Sequence, residues 1–218
     1  MDWLVPALLV MLSAVPVVAG ALRLSELATG GEITADNARF FANPLPVALH
    51  IVSASFYSVL GAFQFSPAVR RGWPQWHRGC GRILVPLGLL TAMSGLWMTL
   101  FYPAVPGGAA LYFIRLVVGS AMIAAITLAI MAIRNQNFPA HGAWMTRAYA
   151  LGLGAGTQVL TYLLWSIAVG AENEFGRLVV MAGGWAINIA VAEWVIVQRS
   201  RRRAGQKGRR PAIASSRS

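Results

Sequence analysis

GAFQFSPAVRRGWPQWHRGCGR, residues 61–82, lies between two long apolar runs. It gathers four arginines (Arg70, Arg71, Arg78, Arg82), two tryptophans and one of the chain's three histidines. The chain as a whole is 57% hydrophobic and only 11% charged across 218 residues. A soluble domain carries about 25% charged residues. So little charge cannot wet a whole surface, and much of this one must face lipid. The cluster at 61–82 therefore marks a place where the polypeptide leaves an apolar medium and turns back into it.

Working outward, a helix crosses the ~30 Å hydrocarbon layer with about 20 residues. Six runs qualify: about 3–22, 45–65, 82–102, 112–133, 144–169 and 177–198. The gaps between them hold the breakers, among them Asn43-Pro44, Pro103 and Pro106-Gly107-Gly108. Strand-like alternation is absent, so the expectation is an all-α polytopic bundle of about six transmembrane helices. It forms one membrane domain, 1–198. The polybasic tail 199–218 is too charged to build a core and is expected to be disordered. Ala19-Gly20-Ala21 resembles a signal-peptidase site, but Met-Asp-Trp gives no positive start, so the first helix is expected to stay.

Placing both termini on one side sorts the charges. That side receives Arg70, Arg71, Arg78, Arg82, Arg134, Arg147, Arg199, Arg201, Arg202, Arg203, Lys207, Arg209, Arg210 and Arg217, fourteen basic residues, against Asp2. The other receives Arg23, Arg39, Arg115 and Arg177 against Glu26, Glu32, Asp36, Glu172 and Glu174. Basic residues flanking short loops stay cytoplasmic. The expected location is the bacterial inner membrane, with both termini in the cytoplasm. The net charge of +11 thus reads as topology and not as nucleic-acid binding. The lipid bilayer is the expected partner, with anionic headgroups at the C-terminal tail. A single cysteine, Cys80, excludes an internal disulfide.

The two cytoplasmic hairpins resemble each other. One has Arg70, Trp73-Pro74, His77 and Arg82; the other has Arg134, Phe138-Pro139, His141 and Arg147. In both, arginine precedes histidine by seven positions and an aromatic-proline pair lies between. Units 45–102 and 112–169 then form two parallel hairpin repeats about an axis along the membrane normal, a core four-helix unit. His77 and His141 would stand at equal depth at the starts of outgoing helices. Two imidazoles suit an axial haem b pair or a transition metal, and Arg78, Arg82 and Arg147 suit propionates or another anion. Histidines that merely cap helix starts are the alternative.

Polar stripes run inside the spans. Span two carries His50, Ser53, Tyr57, Gly61 and Gln64 within roughly 80° of arc. Span five carries Arg147, Gly154, Thr157, Gln158, Thr161 and Trp165. His50, Tyr57, Gln64, Gln158 and Thr161 are the candidate cavity lining, with Glu193, the one acid inside a span. An intramembrane acid calls for a named partner, here Arg82 or Arg147. Gly88, Thr91, Ser94 and Gly95 of span three read as a helix contact of small residues. No P-loop, HExxH or CxxC motif occurs, and no catalytic residue is identified. No span reads as broken at its midplane.

FANP (41–44), GAFQFSP with VRR (61–71), HRGCGR (77–82) and HGAWMTRAYAL (141–151) together resemble the bacterial membrane family DUF2306, over about 40–165. Its pattern is carried by His77, Arg78, Gly81, Arg82 and by His141, Trp144, Met145, Arg147. Thr157-Gln158-Val159 departs from the arginine that many members place after the threonine. The resemblance implies a membrane domain and no particular activity. A looser likeness to four-helix b-type cytochromes rests on the histidine pair alone. Three functions follow from the residues: a redox protein with haem b between His77 and His141, a binding or transport protein for an anionic lipid or quinone-like small molecule, or a structural membrane protein.

Overall fold

The computed structural model describes residues 3–103 and 107–208, with side chains through 205. The described elements are helices: α1 (Leu4–Thr29), α2 (Ala38–Ala42), α3 (Pro44–Gln64), α4 (Pro67–Gly72), α5 (Pro74–Phe101), α6 (Gly108–Arg134), α7 (Phe138–Gly152), α8 (Gly154–Ala168) and α9 (Glu174–Gly208). α1, α3, α5, α6 and α9 are each long and apolar enough to cross a membrane, and α7 and α8, bent by 48° where they join, pass the same test only as a pair, which gives five or six candidate spans. This is the polytopic helical bundle that hydropathy calls for. Short polar signals set its ends. Ser66 Oγ accepts from Val69 N–H to cap α4, Asn137 Oδ1 accepts from Ala140 N–H to cap α7, and Gly30 closes α1 at φ 71°.

Two expectations are corrected. α9 does not stop near 198 but continues as helix to Gly208, so the first half of the supposed disordered tail is a helical extension. Arginine, alanine, glutamine and lysine are good helix formers, and the helix already running carries them on. Residues 209–218 lie outside the described residues, as does Pro106. Second, span five is broken. The ladder steps from Leu153 N–H on Tyr149 O to Gly156 N–H on Leu153 O, which releases the carbonyl of Ala150. Asn188 of α9 fills that place, donating from Nδ2 to Ala150 O at 3.0 Å, and its Oδ1 accepts from Thr157 Oγ1 at 2.6 Å.

Helix seams follow the small and polar residues. Across α3 and α5, Thr91 Oγ1 donates to Ser53 Oγ (3.0 Å), and Tyr57 lies against Gly88. α1 packs on α3 at Gly20 and Ile51, α8 on α9 at Gln158 and Gly184. Tyr57, Leu84, Ala92, Met122, Ile126, Ala148 and Tyr149 form the core of the bundle. At the end formed by the α1–α2 and α8–α9 links, charges pair within the protein. Arg23 donates to Glu26 (2.5 Å), Arg177 to Glu172 (2.6 Å), and Arg23 and Arg39 lie over the Phe40 ring. The other end, with α4 and the starts of α5 and α7, is the arginine-rich one.

Candidate functional site

His77 and His141 are each the fourth residue of their helix, behind a proline in the first turn. Each gives its backbone N–H to the cap residue's carbonyl, His77 to Trp73 O (3.1 Å) and His141 to Asn137 O (2.9 Å). The aromatics before the prolines, Trp73 and Phe138, both stand exposed. The two hairpins therefore share local geometry as well as sequence. The ring of His77 lies within electrostatic reach of His141, Arg70 and Arg78. Both imidazoles are half-buried.

Their hydrogen bonding differs. His141 Nδ1 lies 2.9 Å from Ala129 O of α6. A carbonyl only accepts, so Nδ1 carries a proton, and in the neutral ring the lone pair is then on Nε2. His77 Nδ1 is buried with no hydrogen-bond partner among the described residues, and so is Gln64 Nε2 at the end of α3. Gln64 lies against Cys80, with its amide oxygen 3.9 Å from where a Cβ on Gly81 would sit. Two orphaned polar atoms thus lie at the same end of the bundle, one at the end of α3 and one in the first turn of α5. Buried polar groups in native folds are normally satisfied by protein, water or ligand.

The arginines divide. Arg78 and Arg82 are exposed. Arg147 is committed: its Nε donates to Glu193 Oε1 (2.5 Å), its Nη2 to Oε2 (2.9 Å), and the guanidinium stacks 4.6 Å from the Trp144 ring centre. This two-pronged fork uses both carboxylate oxygens. A haem b fits the donor set in part. His141 has the tautomer an axial ligand needs, whereas Arg147 reaches a propionate only by giving up Glu193. Among the described residues no three of His, Cys, Asp and Glu gather as metal ligands.

His50 belongs elsewhere, deep in the bundle. Its Nδ1 meets Thr91 O at 3.0 Å and Ser94 Oγ at 3.1 Å on α5, so its Nε2 carries the lone pair. His50 lines a cavity of about 120 Å³ between α1, α3 and the α7–α8 break, with Ser13, Ser55, Ser58, Leu153 and Gly156 among the other walls. The remaining stripe residues are not in that lining. Tyr57 is 2% exposed in the core, its ring between Gly88 and Gly152 and its hydroxyl without a partner among the described residues. Gln158 donates to Met181 O (3.1 Å) and Thr161 to Val180 O (2.8 Å), which makes them contacts to α9. Sequence reading missed Asn188, although within the run 177–198 it is the one amide away from the ends.

A multipass helical bundle with a histidine pair at one end and a broken passage beside a mid-bundle cavity is an integral membrane protein. The chain belongs to the family described as predicted membrane protein (DUF2306), whose model matches residues 47–196. The match runs past α8 and takes in Asn188 and Glu193. No curated protein and no solved structure matches the chain.

Proposed function

We propose that this chain binds a small molecule with an acceptor-rich head, anionic or quinone-like, at the Gln64–His77–His141 end of the bundle, and that this end faces the cytoplasm of a bacterial inner membrane. The observation that carries the reading is the pair of orphaned buried atoms, Gln64 Nε2 and His77 Nδ1. An amide nitrogen only donates, and the Cys80 sulfur beside it is a weak acceptor, so a ligand with an acceptor oxygen would satisfy it better. A quinone carbonyl, a carboxylate or a phosphate does so, and Arg70 and Arg78 near His77 favour negative charge there. Fourteen basic residues against one acid outside the spans support the cytoplasmic orientation. The broken α7–α8 passage supports transport as an extension of binding, since discontinuous helices accompany substrate paths in transporters.

A second reading, haem b between His77 and His141, has its own support in the Ala129 bond that sets the His141 tautomer. One preparation separates the two. Wild type, Gln64→Ala and His77→Ala are purified in mild detergent, and each is scanned from 350 to 600 nm (roughly the haem range) and then extracted for mass spectrometry. The binding reading expects an anionic or quinone-like species in the wild-type extract and its loss in both variants. A Soret band lost in His77→Ala but kept in Gln64→Ala supports haem. Identical extracts from all three, with no visible band, overturn both.

A further inference from the structure

At the arginine-rich end, the acid among the described residues is Glu193. No acid occurs between Asp36 and Glu172 or after Glu193, and both oxygens of Glu193 go to Arg147. Folding nevertheless draws cations from separate elements together. Arg199 of α9 has Arg70 of α4 and Arg203 of α9 within electrostatic reach, and its Nη1 lies 3.5 Å from Thr146 Oγ1 of α7. Beside it, a groove of about 380 Å³ runs along α9 between Trp194, Val195, Gln198, Arg199 and Arg202. Trp194 is 63% exposed and Val197 43% exposed, on the apolar part of the helix just before its charged extension. Tryptophan one to two turns before arginine is the sequence of depths at a membrane surface: ring at the headgroup boundary, cations above it.

We infer that the Trp194–Arg199–Arg202 groove, backed by Arg70, holds the headgroup of an anionic phospholipid. Among the described residues no ion pair holds Arg70, Arg199 or Arg202, and the surface they occupy is the level at which a lipid phosphate lies. The acyl chains have the exposed apolar flank of α9 to lie against, which a free anion cannot use. The site is part of the folded helix and not of the tail beyond it, and it is independent of the His77 site.

Native mass spectrometry of the full chain in detergent, with added phosphatidylglycerol or phosphatidylcholine, tests this. The wild type should retain phosphatidylglycerol preferentially. An arginine at an anionic surface contributes about fivefold in affinity. Arg199→Ala and Arg202→Ala should each lower retention about that much, while Arg202→Lys, which keeps the charge, should retain most of it. Arg134→Ala removes an exposed cation at the same end outside the groove and should change nothing. The inference fails if Arg134→Ala costs as much as Arg202→Ala, or if phosphatidylcholine is retained equally. It also fails if millimolar inorganic phosphate displaces the bound lipid, which would make this a site for free anions.

Discussion

Single glycines decide how closely the helices approach. Gly61 of α3 faces the Tyr149 ring of α7, and a Cβ there would meet Tyr149 Cδ2 at 2.8 Å. That ring cannot swing aside freely. Its hydroxyl donates to Ser58 O (2.6 Å), and its face packs 4.9 Å from Phe65. Gly61→Ala should therefore cost about 1–3 kcal/mol through overpacking, read as a lower midpoint of thermal unfolding in detergent. Gly79 of α5 is the contrasting case: it is helical, exposed, and a Cβ there meets nothing within 4 Å. Gly79→Ala should leave the midpoint unchanged or raise it, by up to about 1 kcal/mol of helix propensity. Equal losses in both variants would contradict the packing geometry. The Arg147–Glu193 fork belongs to this scale too. With Glu193 43% exposed, screening keeps the pair a modest contributor, so its main effect is to hold Arg147 over Trp144.

At the scale of elements, the break between α7 and α8 is held from outside. The Gly152-Leu153-Gly154 step releases Ala150 O, and a residue 38 positions away in sequence supplies the donor. Asn188→Leu keeps similar bulk but removes both the donor to Ala150 and the acceptor for Thr157. An orphaned buried group costs about 1–3 kcal/mol. The variant should unfold at lower temperature or let α7 and α8 straighten, which a pair of spin labels on Ala143 and Ser166 would detect as a longer separation. An unchanged midpoint together with an unchanged separation would remove Asn188 from this role. This element also shows where sequence reading ran short. α5 was legible as a span because the run 82–102 carries one unambiguous apolar signal, and its small-residue face duly meets α3. The break was not legible. Glycine in a membrane helix serves close packing as readily as bending, and only the placement of Asn188 and Trp185 against Ala150 and Gly154 distinguishes the two. The stripe of α3 was similarly ambiguous. His50 both lines the cavity and bonds to α5, and Ser53 and Tyr57 of the same stripe meet α5, because serine, threonine and histidine satisfy one another across helices as well as they satisfy a ligand.

Over the whole molecule, the two ends differ in how charge is balanced, and that difference sets the expected orientation. At one end Arg23, Arg177 and their carboxylates neutralise each other within the fold; at the other, arginines outnumber acids and look outward. A leaflet that retains cations, and offers anionic lipids to meet them, suits the second end. Cys80 is the chain's one cysteine, so Cys80→Ala provides a blank background for labelling. Gln75→Cys and Ala140→Cys place single thiols in the first turns of α5 and α7, and Ile33→Cys places one on the opposite end at an exposed position. In intact cells a membrane-impermeant maleimide should modify the thiol at 33 and spare those at 75 and 140, which should react only after permeabilisation. The reverse pattern would turn the protein over and move the arginine-rich end, with its histidine pair, to the outer face. Opposite behaviour at 75 and 140 would be the more damaging result, because α5 and α7 would then enter from different sides and His77 and His141 could not share a site at all.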